Sequence, residues 1–586
     1  MHLSKKETFP SILMLLSIVV AYGAVFWLPW VFVLAVICYL LFLFYLIYKG
    51  ASVKLILFGS LFVCFWLRLF PYLESVPLGV DPIRDVIYAH LVFRSGHLVY
   101  NMPRFVSYYQ YFPSTQILPL INSIVSGLGV TISHYLTLSF LLSLGILPLV
   151  LIMRNTENVD GGLTLLVALL YATIPTILTW NYWVIPMAFA MLLMVYSLLL
   201  FSLSLSRRGM SVYLVLSFVF SVLTVMTHAG VGILLIGFYI VCQVVFSLRR
   251  RECRAFSRYL LVYNVALLVF TFTYWWFTGF LEQYLFRYLN RLYVNFMVAL
   301  RDLLGLKMEP STPSLITVPH IKPSTITKPE VIPKVLRCFP AMYPEYYLYP
   351  RWVWSSLWTL MPLLLFLIYM LKRIKISKLT FSVGFYSVIL ALFTPLALFL
   401  HLIWKADRYV ASPTTIFIII FIGAMTGLVL KSNAKIRLKA AISILIILLT
   451  VSSIFDPRVA YYVNPIEGDR VTFRLDERIA ANYLVSKLDS GSVVSDYNLM
   501  TSYLYYLTIV KNKTYLKVFI TPVHNILRDK VLYKGGWIFL LRVYSIESYY
   551  IWNWNYKRKP QVINKAFYYG NLVYANKEVF ILKSVS

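Results

Sequence analysis

Charged residues are scarce in this chain. Asp, Glu, Lys and Arg make up 13% of its 586 residues, against 60% hydrophobic. Soluble domains carry about 25% charged residues. Such a deficit over so long a chain excludes a soluble enzyme, a disordered protein and a coiled coil, and leaves a polytopic α-helical membrane protein. Acid is the scarcer sign: 23 Asp and Glu stand against 53 Lys and Arg, a net charge of +30. In a soluble chain that excess would point to nucleic acid. Here it reads first as topology, because basic residues collect on the cytoplasmic side, and no nucleic-acid partner is expected. Cysteine is also rare. Of the 5 present, Cys38, Cys64 and Cys242 lie inside apolar runs and Cys338 is a lone thiol in a candidate external loop, so they form no disulfide or metal framework. No cleavable signal peptide is expected, since the first apolar run leads straight into a second. Neither a solenoid repeat nor an inverted pair of broken helices is visible.

A membrane span needs about 20 mainly apolar residues. Runs that meet this lie near 11–27, 29–48, 53–71, 133–153, 162–180, 183–205, 211–227, 229–248, 257–280, 352–371, 379–404, 409–430 and 437–455. The basic clusters set the sides: Lys5-Lys6, Lys49 with Lys54, Arg207-Arg208, Arg249-Arg250-Arg251, Lys372-Arg373, and Lys431 with Lys435. All fall on one side only if an even number of spans separates each neighbouring pair. The runs 53–71, 133–153, 162–180 and 183–205 already form an even set, so the further apolar run 113–130 is expected not to cross. It opens at Pro113, carries Ser114, Gln116 and Asn122, and ends at Gly127-Leu128-Gly129. A helix on the outer leaflet suits that composition. The expectation is about 13 spans in a membrane domain over 1–455, with the N-terminus inside and external loops at 72–132 and 281–351.

Residues 456–586 have a different texture, and are expected to form a small extracytoplasmic α/β domain. Leu475–Leu488 has helical periodicity with Asp476 and Glu477 in its first turn, where negative charge meets the helix dipole favourably. Ser492–Ser495 reads as a short strand, and Gly570–Ser584 as a hairpin turning at Asn576-Lys577. Loop 281–351 is rich in proline from Pro310 to Pro350, which forbids long helices and implies an extended strap.

Chemistry needs ionisable groups, and the first external loop holds them. It reads Gly79-Val80-Asp81-Pro82-Ile83-Arg84-Asp85, continues to His90, and then has Arg94-Ser95-Gly96-His97. Asp81 before Pro82 fits a helix cap with proline in the first turn, and Asp85 follows one turn later on the same face. Two readings stand together: a capped amphipathic helix lying on the membrane, or a carboxylate held at the surface for catalysis. His90 and His97 make no recognised metal spacing. At the outer end of 409–430, Lys405-Ala406-Asp407-Arg408-Tyr409 offers an arginine at the depth of lipid phosphates. Its planar fork suits phosphate oxygens, although such residues also anchor by snorkelling. Arg68, near the outer end of 53–71, carries the same two meanings. His228 sits at the external apex between 211–227 and 229–248, where it is either a loop residue or part of a cavity mouth.

The Asp81-Pro82 element, with the aromatic and basic helix running to Ser95-Gly96, resembles the first external loop of the GT-C class of membrane glycosyltransferases. In layout the chain is similar to the oligosaccharyltransferase catalytic subunit, with a long external loop between the ninth and tenth spans and a C-terminal external domain. The likeness has gaps. Trp180-Asn181-Tyr182-Trp183 stands where that family's second acidic pair belongs, and Ser495-Asp496-Tyr497-Asn498 retains only Asp-Tyr of its Trp-Trp-Asp-Tyr-Gly motif. The resemblance implies an enzyme that transfers a sugar from a polyprenyl (dolichyl) phosphate-linked donor to a glycan, lipid or protein acceptor at the outer face of the plasma membrane. Asp81, with Asp85, would be catalytic. Arg408 and Lys405, with Arg68 and His228, would bind substrate. No cofactor is required by that scheme, and a divalent ion, Mg or Mn, stays open. The rival readings are whole-glycan transfer to protein, as in oligosaccharyltransferase, and a non-catalytic transporter or scaffold. Transport of ions leaves ionisable residues near the bilayer midplane, and the span centres here hold almost none.

Overall fold

In the computed structural model, the described residues are 53–69, 80–100, 108–157, 186–206, 210–248, 252–287, 289–290, 293–294, 297, 362–370, 376–399, 412–431, 475–495, 498–513, 515–520, 537–542, 570–575 and 579–584. The runs 11–27, 29–48, 162–180 and 437–455 lie outside them, as do most of the proline strap, Lys405 and Arg408. The chain divides into two compact units. One gathers Met1–Pro77, Gly96–Phe296 and Tyr347–Asn464; the other gathers Leu78–Ser95, Met297–Tyr346 and Pro465–Ser586.

The first unit is helical. Among the described residues, the segments Val130–Glu157, Pro186–Leu205, Ala229–Leu248 and Phe256–Phe277 are long and apolar enough to cross a membrane. The first of them is broken at Leu144-Gly145 into Val130–Ser143 and Ile146–Glu157. Met210–Thr227, Lys378–Phe399 and Ser412–Lys431 are further apolar helices. The helix Glu252–Phe277 shows how a span sorts its faces. Leu260, Tyr263, Asn264, Leu267, Thr271 and Trp275 are buried, while Tyr259, Val262, Val265, Val269, Phe272 and Trp276 are exposed. Both sets recur every three or four residues, so one stripe packs inward and the other is left for lipid.

Lipid tails are as apolar as leucine, so these helices cannot associate by hydrophobic burial and use close packing and hydrogen bonds instead. A buried hydroxyl cluster joins four of them. Ser197 Oγ lies 2.6 Å from Tyr239 OH and 2.7 Å from Ser221 Oγ, and Ser221 Oγ lies 2.7 Å from Tyr263 OH. Asn264 donates to the Tyr239 carbonyl at 3.2 Å and to Gln243 Oε1 at 2.8 Å. Tyr386 OH donates to the Leu234 carbonyl at 2.7 Å, passing close to Gly237, where a Cβ would stand 2.9 Å from the phenol oxygen.

The run 113–130 folds as the helix Ser114–Ser126, 13 residues long, stopped by Gly127 at φ 72°. At 1.5 Å per residue it spans about 20 Å, short of a hydrocarbon core of about 30 Å. Contacts also join the ends of these helices. Glu157 accepts a hydrogen bond from Ser377 N–H at 2.9 Å, and Asn155 donates to Ser202 Oγ at 3.3 Å, joining ends that parity puts inside. Ser114 and Thr227 hydroxyls meet at 2.7 Å, and Tyr111 OH donates to Gln283 Oε1 at 2.8 Å, joining ends that parity puts outside.

The second unit holds a five-stranded sheet ordered β2-β1-β3-β5-β4, with β1 Gly491–Ser495, β2 Leu516–Ile520, β3 Trp537–Arg542, β4 Gly570–Ala575 and β5 Val579–Ser584. β1 pairs in parallel with β2 and β3, while β3–β5 and β4–β5 are antiparallel. The helices Leu475–Lys487 and Asn498–Val510 accompany it. The helix at 475, the strand at 492–495 and the antiparallel pair within 570–584 stand where periodicity placed them; the turn residues Asn576-Lys577 lie outside the described residues.

Candidate functional site

The acidic segment of the first external loop forms the helix Val80–Ser95. It starts one residue earlier than expected, so Asp81 stands inside the first turn instead of capping it. Pro82 still falls in that first turn, where the missing N–H costs nothing. Asp81 keeps a position that the helix dipole favours. Asp85, a turn later, is fully buried, as are Ile83, Val86, Ile87, Tyr88 and Ala89. Burial on so many consecutive positions is more than the single stripe that an amphipathic surface helix buries. A carboxylate taken out of water is costly unless it is paired, hydrogen-bonded or neutralised. Asp85 is not isolated: it has an interaction partner in the structure.

What the helix packs on is a C-terminal element. Val80–Ser95 belongs to the same compact unit as Pro465–Ser586. The His90 ring meets the Tyr506 ring edge-on at 6.0 Å. Arg94 donates at 3.4 Å both to the Val510 carbonyl and to Asn512 Oδ1, so its charge stands at the C-terminal end of Asn498–Val510. On that helix the buried Tyr503 accepts from Asn482 Nδ2 at 3.3 Å, and burial is the main cause that raises its phenol above the ordinary value. More than 400 positions separate Arg94 from Asn512 (|i−j| is 418), and nothing local in either segment announces the pairing.

The other named residues lie in the first unit. Arg68 is fully buried at the end of Val53–Leu69, with Nη1 folded back onto the Cys64 carbonyl at 2.8 Å. A snorkelling anchor would extend its guanidinium into water, so the anchor reading fails for Arg68. His228 Nδ1 accepts from Val231 N–H at 3.4 Å, which caps the helix Ala229–Leu248. Its ring is flanked by Tyr108 at 6.2 Å and Phe112 at 6.4 Å. The turn Tyr108–Phe112 is held in place from below: Tyr274 OH donates to the Tyr111 carbonyl at 2.6 Å, and Phe112 packs edge-on against Phe280 at 5.2 Å. This aromatic collar around His228 went unnoticed in the sequence, since its members come from three separate segments. Arg408 and Lys405 lie outside the described residues.

Among the described residues, no group of three or more His, Cys, Asp or Glu side chains is disposed to hold a metal ion.

No family profile and no curated protein matches the chain in sequence. In structure it is similar to several solved proteins. The oligosaccharyltransferase of Archaeoglobus fulgidus in its apo form gives a TM-score of 0.49 at 14% identity, covering 90% of this chain and 74% of that one. ArnT from Cupriavidus metallidurans gives 0.46 at 12% identity, covering 88% and 96%. The arabinofuranosyltransferase AftD from Mycobacteria gives 0.45 at 13% identity, covering 90% and 40%.

Proposed function

We propose that the chain is a membrane glycosyltransferase that moves a sugar from a polyprenyl-phosphate donor to an acceptor hydroxyl at the outer face of the plasma membrane. Behind this stands one observation above the rest. In a chain this poor in acid, two carboxylates fall one turn apart at the head of the Val80–Ser95 helix, and the second is fully buried. Buried carboxylates are costly and collect at working sites.

The chemistry asked of the protein is small. Phosphate is a good leaving group, so no general acid is needed. A base must take the acceptor proton, and positive charge must meet the phosphate as it departs. Asp81 is the proposed base. Asp85, already buried, holds the helix head in place for it. Arg408 and Lys405 are the proposed phosphate partners, with Arg68 and His228 shaping the outer ends of their helices. Residues 456–586 are read as extracytoplasmic, and residues 1–455 as a membrane domain of about 13 spans.

The test is release of polyprenyl phosphate from a polyprenyl-phosphate hexose by the purified protein in nanodiscs, with a membrane extract supplying acceptors. Asp81→Asn keeps the size and removes the basic carboxylate. It should abolish turnover and leave donor binding intact. Arg408→Ala should weaken donor binding by about 10- to 150-fold, the loss of a charge-assisted bond worth about 1.5–3 kcal/mol. Full activity in Asp81→Asn refutes the assignment of the base, and absence of release by the parent protein with every hexose donor refutes the reading as a whole.

A further inference from the structure

We infer that Asn512 is a site of N-linked glycan attachment on the protein itself. Asn512-Lys513-Thr514 is the one Asn-X-Ser/Thr triplet in the chain with X other than proline. Sequons of that kind act only where the asparagine is presented on the surface. Here it is. The helix Asn498–Val510 ends in a Schellman turn: Asn512 N–H donates to the Ile509 carbonyl at 3.1 Å, and Lys513 N–H to the Thr508 carbonyl at 2.7 Å. Asn512 takes the left-handed position of that turn at φ 57°, the one non-glycine residue among those described with a positive φ. The tip is exposed, and its neighbour Lys513 pairs with Asp489 in the loop that follows the helix Leu475–Lys487.

A purely structural account explains part of this. Asparagine tolerates the left-handed conformation at a helix end, where glycine is the commoner choice. Such an account makes no demand on the residue two positions later, yet that residue is the threonine a sequon requires. Arg94 Nη1 approaches Asn512 Oδ1 at 3.4 Å, which leaves Nδ2 as the amide atom that Arg94 does not engage. The reaction joins that nitrogen to the anomeric carbon of a lipid-linked glycan supplied by the host's sequon-directed transferase. The bond from that carbon to the phosphate oxygen breaks, the lipid phosphate leaves with the electron pair, and Nδ2 gives one proton to the transferase's base. A glycan there would sit beside the Arg94 contact that ties Val80–Ser95 to the C-terminal helix.

This rests on the reading that residues 456–586 are extracytoplasmic. The experiment is mass spectrometry of the proteolytic peptide carrying Asn512, from protein purified out of native-host membranes. The peptide should be heavier by a glycan on Asn512. Thr514→Ala, which retains Asn512 and its Arg94 contact, should return the unmodified mass. Asn512→Gly, suited to the left-handed turn, should do the same and still fold. An unmodified native peptide overturns the inference. Labelling of Asn512→Cys by an impermeant maleimide, in a background without other cysteines, then separates the causes: labelling of intact cells leaves the topology standing and the modification wrong, whereas labelling only after permeabilisation overturns both.

Discussion

Glu157 offers the cleanest test of how the membrane helices are clasped. It ends the helix Ile146–Glu157, and its carboxylate accepts from Ser377 N–H at 2.9 Å and from the Thr380 hydroxyl. Ser377 Oγ in turn accepts from Thr380 N–H at 3.1 Å, so the start of Lys378–Phe399 is capped by its own serine and by a carboxylate from 220 positions earlier. A hydrogen bond to a charged group is worth about 1.5–3 kcal/mol, and a negative charge at a helix N-terminus adds about 0.3–1 kcal/mol. Both groups are only partly buried, which favours the lower ends. Glu157→Ala should therefore cost about 2 kcal/mol. Glu157→Gln keeps an acceptor oxygen and loses only the charge, so it should cost about 1 kcal/mol. Thr380→Val removes the second donor without changing shape much. Because it shares a partner with Glu157, the double variant Glu157→Ala/Thr380→Val should be less destabilised than the two singles added, by roughly 0.5–1 kcal/mol. Thermal unfolding in a fixed detergent, at a fixed scan rate, reads all four proteins. An unchanged midpoint for Glu157→Ala, or additivity within about 0.3 kcal/mol, would refute the clasp.

Two further outcomes follow from the packing. Tyr263→Phe removes the hydroxyl that meets Ser221 at 2.7 Å and Ser217 at 3.2 Å; since Ser221 keeps Ser197 as a partner, the loss should stay within about 0.6–1.7 kcal/mol in unfolding assays. Gly384→Ala would drive a Cβ into the ring of the fully buried Phe421; it should destabilise by about 1–3 kcal/mol, and Gly384→Ala with Phe421→Leu should recover part of that loss.

Much of this protein is legible in its sequence, and the reason is its solvent. A bilayer satisfies no backbone hydrogen bonds, so apolar runs become helices whatever they pack against. The helices at 186–206, 210–227 and 229–248 accordingly fall within a few residues of their apolar runs. Local chemistry served equally well where it closes on itself: Gly127 stops the helix after Pro113, and the strands Gly570–Ala575 and Val579–Ser584 pair antiparallel. The head of the acidic helix was legible in kind, since Asp81-Pro82 marks a helix start, but not to the residue.

What needed the tertiary structure is everything that depends on which groups meet. Arg94 capping Asn498–Val510, Glu157 capping Lys378–Phe399 and the aromatic collar around His228 each join segments more than 100 positions apart in the chain. A sequence shows that a residue can donate or accept, and a hydrogen bond also needs its partner within about 3 Å. Burial belongs to the same class. Asp85 reads in sequence as one acid on one face of a surface helix, yet the fold removes it from water altogether. Arg68 reads as an interfacial anchor or a phosphate ligand, and its guanidinium turns back onto the Cys64 carbonyl. Hydropathy ranks a side chain by its own atoms, whereas its cost and its chemistry are set by the atoms that close around it.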